Sequence, residues 1–159
     1  MPWQNKQKDQ HIENCPGDGI NGSFDISELA QLDALAKQLA STIQHPAWVY
    51  LVGDLGTGKT TFAQRFIYHK GYHDRVTSPT YAIMNDYLTD SGTVIHCDLY
   101  RLCDPEELYE IGAIELAQEQ AAISLIEWPS KGQGVLPKPD YTLTFLFTKR
   151  QRQLTIHCS

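Results

Sequence analysis

Positive charge is scarce in this chain, and long apolar runs and closely spaced cysteine pairs are missing altogether. Thirteen Lys and Arg stand against 19 Asp and Glu in 159 residues, a net charge of −6. That balance argues against a protein that grips nucleic acid or an anionic membrane through its overall field. The five Arg and eight Lys are scattered along the chain, with no extended basic patch in view. No apolar stretch approaches the ~18 residues needed to span a bilayer, so no membrane association is expected. The opening residues, Met1 to Gly19, lack the apolar centre of an export signal. Cys15, Cys97, Cys103 and Cys158 form no CxxC pair, which disfavours a zinc site. Without an export signal, the expectation is a cytoplasmic protein with reduced thiols.

The 42% hydrophobic and 20% charged content suits a globular chain of one-domain size. Residues 1–22 are polar and interrupted by Pro16, Gly17, Gly19 and Gly22. They predict a disordered tail, followed by a single domain over 23–159. Ser27 is placed to cap a helix on which Leu29, Leu32, Leu35, Ala36, Leu39 and Ile43 make one apolar stripe. Residues 48–52 are almost wholly apolar, the pattern of a strand buried on both faces. A Gly-rich turn over 53–58 leads into a helix to about Tyr68, with Gly71 placed to close it.

Strand-like runs at 81–88 and 93–98 flank residues 89–92, a hairpin signal. Asp104-Pro-Glu-Glu107 starts a helix whose apolar spacing continues loosely to about Gln120. A second buried strand runs from Ala122 to Glu127, and a loop follows over 132–139. Residues 141–147 and 153–157 form a closing hairpin around 148–151. Strands alternating with helices, plus two hairpins, predict an α/β domain with a mixed sheet.

One segment carries chemistry on its face. Gly53-Asp-Leu-Gly-Thr-Gly-Lys59-Thr60 fits the phosphate-binding pattern G-x-x-x-x-G-K-[ST] in full. At ordinary residue frequencies such a match arises about once in ~30,000 positions. It also follows a buried strand and opens a helix, as its mechanism requires. Gly56 and Gly58 free the backbone to aim successive N–H groups at one phosphate. The helix start adds its positive end. Lys59 can reach the β- and γ-phosphates, and the Thr60 hydroxyl can ligate an accompanying Mg²⁺. Gly56, Thr57, Gly58, Lys59, Thr60 and Thr61 are the expected nucleotide contacts.

Such a loop needs a second anchor for the metal, normally an acid at the end of a neighbouring buried strand. Asp98 and Glu127 both have that form, each ending an apolar run where an unmatched carboxylate would be costly. Either could instead cap a helix or close a salt bridge, and Asp54 is a further acid in reach of the loop.

The residues converge on a known pattern. The sequence resembles the bacterial TsaE (YjeE) family of small ATPases, which serve threonylcarbamoyladenosine formation in tRNA. The resemblance rests on residues 53–61, on Thr77-Ser-Pro-Thr-Tyr81, on His96-Cys-Asp-Leu-Tyr-Arg-Leu102 with Asp104-Pro-Glu-Glu-Leu108, and on Leu125-Ile-Glu-Trp-Pro129. It implies a three-layer P-loop nucleoside-triphosphatase fold with a mixed, mainly parallel central sheet and antiparallel hairpins. ATP and Mg²⁺ would be the cofactors, with Thr60 and Glu127 as metal ligands.

By the same resemblance Asp98 serves hydrolysis, near the metal or the attacking water. Ser78-Pro79-Thr80 matches a switch segment that senses the γ-phosphate, which makes Thr80 a second catalytic candidate. Trp128 matches a tryptophan beside the nucleotide, and Arg152 is a candidate to wall the adenine side, or else a solvated hairpin charge. The implied partners are TsaD and TsaB, which modify adenosine 37 of ANN-decoding tRNAs, with tRNA met only indirectly. Hydrolysis would be weak alone and dependent on those partners.

Three rival readings stay in view. A small-molecule kinase would bring several arginines onto the transferring phosphate, but Arg65, Arg75 and Arg101 are not clustered. A switch GTPase would show D-x-x-G and N-K-x-D segments, and neither is present. A nucleotide-gated binding module without significant turnover would share the phosphate loop and differ only in rate.

Overall fold

Trp48 and Tyr50 pack on one side of a central sheet, while Ala47, Val49 and Leu51 pack on the other. That alternation is the period-2 geometry of an extended strand, and here both faces are covered. The structure is a computed structural model that describes residues 13–15, 19–77, 79 and 82–159. Its strands are β1 (Glu13–Cys15), β2 (Gly19–Asp25), β3 (Ala47–Val52), β4 (Met84–Thr89), β5 (Gly92–Asp98), β6 (Ile123–Glu127), β7 (Tyr141–Thr148) and β8 (Gln151–Cys158). The helices are α1 (Leu29–Thr42), α2 (Lys59–His69), α3 (Glu107–Glu110) and α4 (Ala113–Glu119), with a 3₁₀ turn at Pro129–Gly132.

The strands form one sheet in the order β1-β2-β8-β7-β3-β6-β5-β4. The central strands β7, β3, β6 and β5 run parallel, and the outer pairings are antiparallel. One face carries α1 and α2, whose Leu35, Leu39, Phe62 and Phe66 close over Val49, Leu125 and Phe145. The other carries α3 and α4, with Leu108, Ala113 and Ala117 packed on Ile95, Cys97 and Ile126. Helices on both faces of a parallel centre make the three-layer P-loop nucleoside-triphosphatase-like fold that the family resemblance implies. The two helices of the first layer are tied by Asp33, which accepts from Arg65 Nε and pairs with His69 Nε2 at 2.8 Å. No helix among the described residues is long and apolar enough to cross a membrane.

The structure departs from the sequence reading in four places. Strand β2 begins at Gly19 and pairs with β8, and β1 pairs with β2, so sheet pairing reaches into the segment read as a tail. Ser27 does not cap α1. Its hydroxyl donates to Asp25 Oδ1 at 2.6 Å and accepts from Arg152 N at 3.1 Å. The helix starts one residue later, where Gln31 Oε1 accepts from Glu28 N at 2.8 Å, half of a capping box.

The single helix expected over 104–120 is two, broken at Gly112, whose φ of 73° suits glycine. Finally, Cys97 and Cys103 are free thiols, but Cys158 is disulfide-bonded, a bond that cysteine spacing does not disclose. Burial pushes the Cys97 thiol up to about 12, with Asp98 adding to the effect, so this sulfur is a packing group.

Candidate functional site

The loop between β3 and α2 owes its shape to three glycines. A Cβ on Gly53 would lie 2.6 Å from the carbonyl oxygen of Phe145, closer than any side chain can sit. Gly56 and Gly58 have φ of 75° and 109°, the left-handed region that glycine enters freely. Gly58 is the N-cap of α2 and leaves the first helical N–H groups facing the cleft. Thr57 steadies the turn, its hydroxyl donating to Asp54 O at 2.8 Å.

Lys59 is 5% exposed and folds back over its own loop. Its Nζ donates to Gly53 O and, at 2.8 Å, to Asp54 O, and lies 4.5 Å from the centre of the Trp128 ring. Burial lowers its pKa, while the carboxylates of Glu127, Asp98 and Asp54 work in the opposite direction. The hydrogen bonds of this buried ammonium go to carbonyls rather than to a carboxylate, and an anion in the cleft would give it a directly paired charge.

The two acids stand side by side, since Asp98 on β5 and Glu127 on β6 are register partners. Their surroundings differ. Glu127 is 2% exposed, and the Thr60 hydroxyl donates to its Oε1 at 2.9 Å and its Oε2 at 3.2 Å. His96, fully buried, places Nε2 2.8 Å from Glu127 Oε2. Asp98 is half-buried and accepts from Tyr100 N at 3.1 Å. Burial, and then the Glu127 charge, raise the Asp98 pKa above the usual carboxylate range.

The rim is looser. Trp128 has φ 57° and ψ 52°, a left-handed conformation that costs a bulky residue about 1 kcal/mol or more. It turns the ring toward Lys59 and Tyr100, whose ring centre is 5.1 Å away. Arg152 Nη2 lies 3.5 Å from Gly56 O, and its guanidinium carbon sits 5.0 Å from the Phe147 ring centre. Arg152 is thus on the cleft, between the hairpin and the glycine loop.

The cleft is about 330 Å³ and is lined by Gly56 to Thr61, Asp98, Glu127, Trp128 and Arg152, with Ser27 and Leu32 on the helix side. Every expected site residue among the described ones is therefore gathered at one place. Ser78, Thr80 and Tyr81 lie outside the described residues. The residue that sequence reasoning did not single out is His96. Its signal was present: it precedes Asp98 by two on a strand, so the two share a face.

The donor set suits a hard cation. A hydroxyl and a carboxylate within hydrogen-bond distance, with a second carboxylate beside them, are oxygen ligands of the kind Mg²⁺ takes. Among the described residues no group of three or more His, Cys, Asp or Glu could hold a metal by itself, so a cation here would share oxygens with a ligand.

A family model described as threonylcarbamoyl adenosine biosynthesis protein TsaE matches residues 26–154. A Haemophilus influenzae relative named tRNA threonylcarbamoyladenosine biosynthesis protein TsaE is 46% identical over 92 residues, which span 58% of this chain and 58% of that protein. A Rickettsia bellii protein of the same name is 42% identical over 121 residues, 76% of this chain and 83% of the relative. Among solved structures, the crystal structure of Bacillus subtilis YdiB superposes with a TM-score of 0.63 at 25% identity, covering 86% of this chain and 84% of that one.

Proposed function

Because the chain belongs to the TsaE family, we propose that it binds ATP with Mg²⁺ in the cleft and hydrolyses it in support of tRNA threonylcarbamoyladenosine formation. The observation that carries this reading is the pairing of Thr60 with a buried Glu127 directly beside Lys59 and the glycine loop. Those groups are the metal and phosphate anchors of a phosphate-loop ATPase.

In this reading Gly56 to Thr61 hold the phosphates through backbone N–H groups. Lys59 exchanges the carbonyls of Gly53 and Asp54 for phosphate oxygens. Thr60 and Glu127 hold Mg²⁺, which when bound neutralises phosphate charge. Asp98, beside Glu127 at the end of the next strand, acts near the metal or the attacking water. Trp128 and Arg152 confine the nucleotide. Thr80, by family resemblance, senses the γ-phosphate.

Turnover should depend on partners, which we take to be TsaD and TsaB in the cytoplasm, with tRNA contacted only indirectly. Among the described residues lining the cleft the arginine is Arg152, at the rim near Gly56. An arginine on the transferring phosphate is worth on the order of 10³ or more in rate, so its supply by a partner would be felt strongly. The test is steady-state ATP hydrolysis with and without the TsaD–TsaB complex, at saturating ATP and with binding confirmed. Slow hydrolysis alone and a large acceleration in the complex are expected. Equal rates in both conditions overturn the partner dependence, and phosphoryl transfer to an added acceptor would favour a kinase.

A further inference from the structure

His96 is the buried polar side chain at the cleft that the reading above does not use. It lies on β5 opposite Leu125, two residues before Asp98, which is opposite Glu127. The two-residue period puts His96 and Asp98 on the same face, with His96 one step deeper in the sheet. It is fully buried, and Nε2 is 2.8 Å from Glu127 Oε2. The other ring nitrogen, Nδ1, is buried with no hydrogen-bond partner.

Those contacts select one tautomer. A proton on Nδ1 would leave a buried N–H without an acceptor and aim the Nε2 lone pair at a carboxylate oxygen. A proton on Nε2 instead leaves only a lone pair unmatched at Nδ1, the smaller of the two costs. That N–H also donates to Glu127 Oε2.

We propose that His96 is a positioning residue for the metal end of the cleft: its Nε2–H pins Glu127 Oε2 and so holds Oε1 toward the Thr60 hydroxyl. The inference rests on the Mg²⁺ reading of Thr60 and Glu127 given above. Glu127 has rotatable bonds along its side chain, and Thr60 alone bonds both oxygens without choosing between them. The His96 contact, made to Oε2 alone, breaks that symmetry. Partners behind a ligand that fix its orientation in this way commonly change metal affinity about 10- to 100-fold.

The test uses the full chain, with Mn²⁺ as a paramagnetic probe and ADP as the nucleotide. His96→Leu removes the donor at similar bulk. His96→Gln returns an N–H at about the same reach, and His96→Asn carries the same amide on a shorter arm. His96→Leu and His96→Asn are expected to weaken Mn²⁺ binding to the ADP complex about tenfold or more. ADP affinity in the presence of EDTA should stay within about twofold of wild type, and His96→Gln should recover most of the metal affinity.

Should His96→Leu fail to fold, the Gln and Asn pair carries the same comparison. Wild-type Mn²⁺ affinity in His96→Leu, or in His96→Asn where only that variant folds, overturns the proposal. So does equal weakening by Gln and Asn, or a loss of ADP binding without metal that matches the loss with it. Failure of the unmodified protein to bind Mn²⁺ with ADP would instead overturn the Mg²⁺ reading itself, and this inference with it.

Discussion

At the deep end of the cleft, where β5 and β6 finish, Glu127 is 2% exposed and held by Thr60 and His96. At the rim, Leu29, Leu55 and Phe147 are each more than half exposed, and Arg152 reaches Gly56 O only at 3.5 Å. The deep end is polar, buried and closely hydrogen-bonded around Glu127. The rim is more exposed and more loosely held. Charge is handled best where dipoles are fixed in advance and water is excluded, whereas a surface that meets a base or another protein gains from being adaptable. The same contrast separates Asp98 from Glu127, two acids that end similar strands but differ in burial and partners.

That contrast can be broken most directly at Lys59. Lys59→Ala is expected to weaken MgATP binding roughly ten- to a hundredfold, since charge-assisted contacts to phosphate are worth ~1.5–3 kcal/mol each. Unchanged affinity and hydrolysis by calorimetry and rate assay would remove the phosphate-loop assignment. Next come the acids. Glu127→Ala should reduce the Mg²⁺-dependent part of nucleotide binding, while Asp98→Ala should lower hydrolysis and leave nucleotide bound. Exchanged phenotypes, read from Mg²⁺ titrations and single-turnover rates, would mean that the two roles are exchanged.

The smallest effect belongs to the rim. Arg152→Ala should weaken ATP by roughly two- to fivefold, the reach of a solvent-screened contact worth ~0.5–1 kcal/mol. A loss as large as that at Lys59 would place the rim among the fixed parts of the site.

The phosphate loop, the flanking strand and helix, and both acids were legible because each is a local pattern. A glycine spacing or an apolar run ending in a carboxylate is visible within ten residues. What escaped was decided at longer range. Ser27 looks like a helix cap in sequence, yet Asp25 takes its hydroxyl and the β8 backbone donates to it. The apolar spacing of 107–120 runs straight across Gly112, and only the packing of α3 and α4 on β5 and β6 requires the bend.

His96 reads as an ordinary strand residue until β6 lies beside it. Its pairing with Glu127 joins two strands that are adjacent in the sheet and 31 positions apart in the chain. The pairing of β2 was likewise hidden, because Gly22 to Asp25 find their partners in β8 at the far end of the sequence, and residues 19–21 then pair with β1.

The strand order has a consequence for how the protein is made. Strand β3, which leads into the glycine loop, is hydrogen-bonded on its two sides to β6 and β7. Both are synthesised long after it: β3 ends at Val52, β6 begins at Ile123 and β7 ends at Thr148. During translation the loop therefore leaves the ribosome well before either neighbour of its strand, and before the acid that faces Thr60. Pairings of such long sequence separation form slowly, because the intervening chain must be gathered first. An interrupted chain that stops short of β6 carries the whole glycine loop and no Glu127. The arrangement that sets the glycine loop and Thr60 beside Glu127 is thus completed only when the last third of the chain has been made.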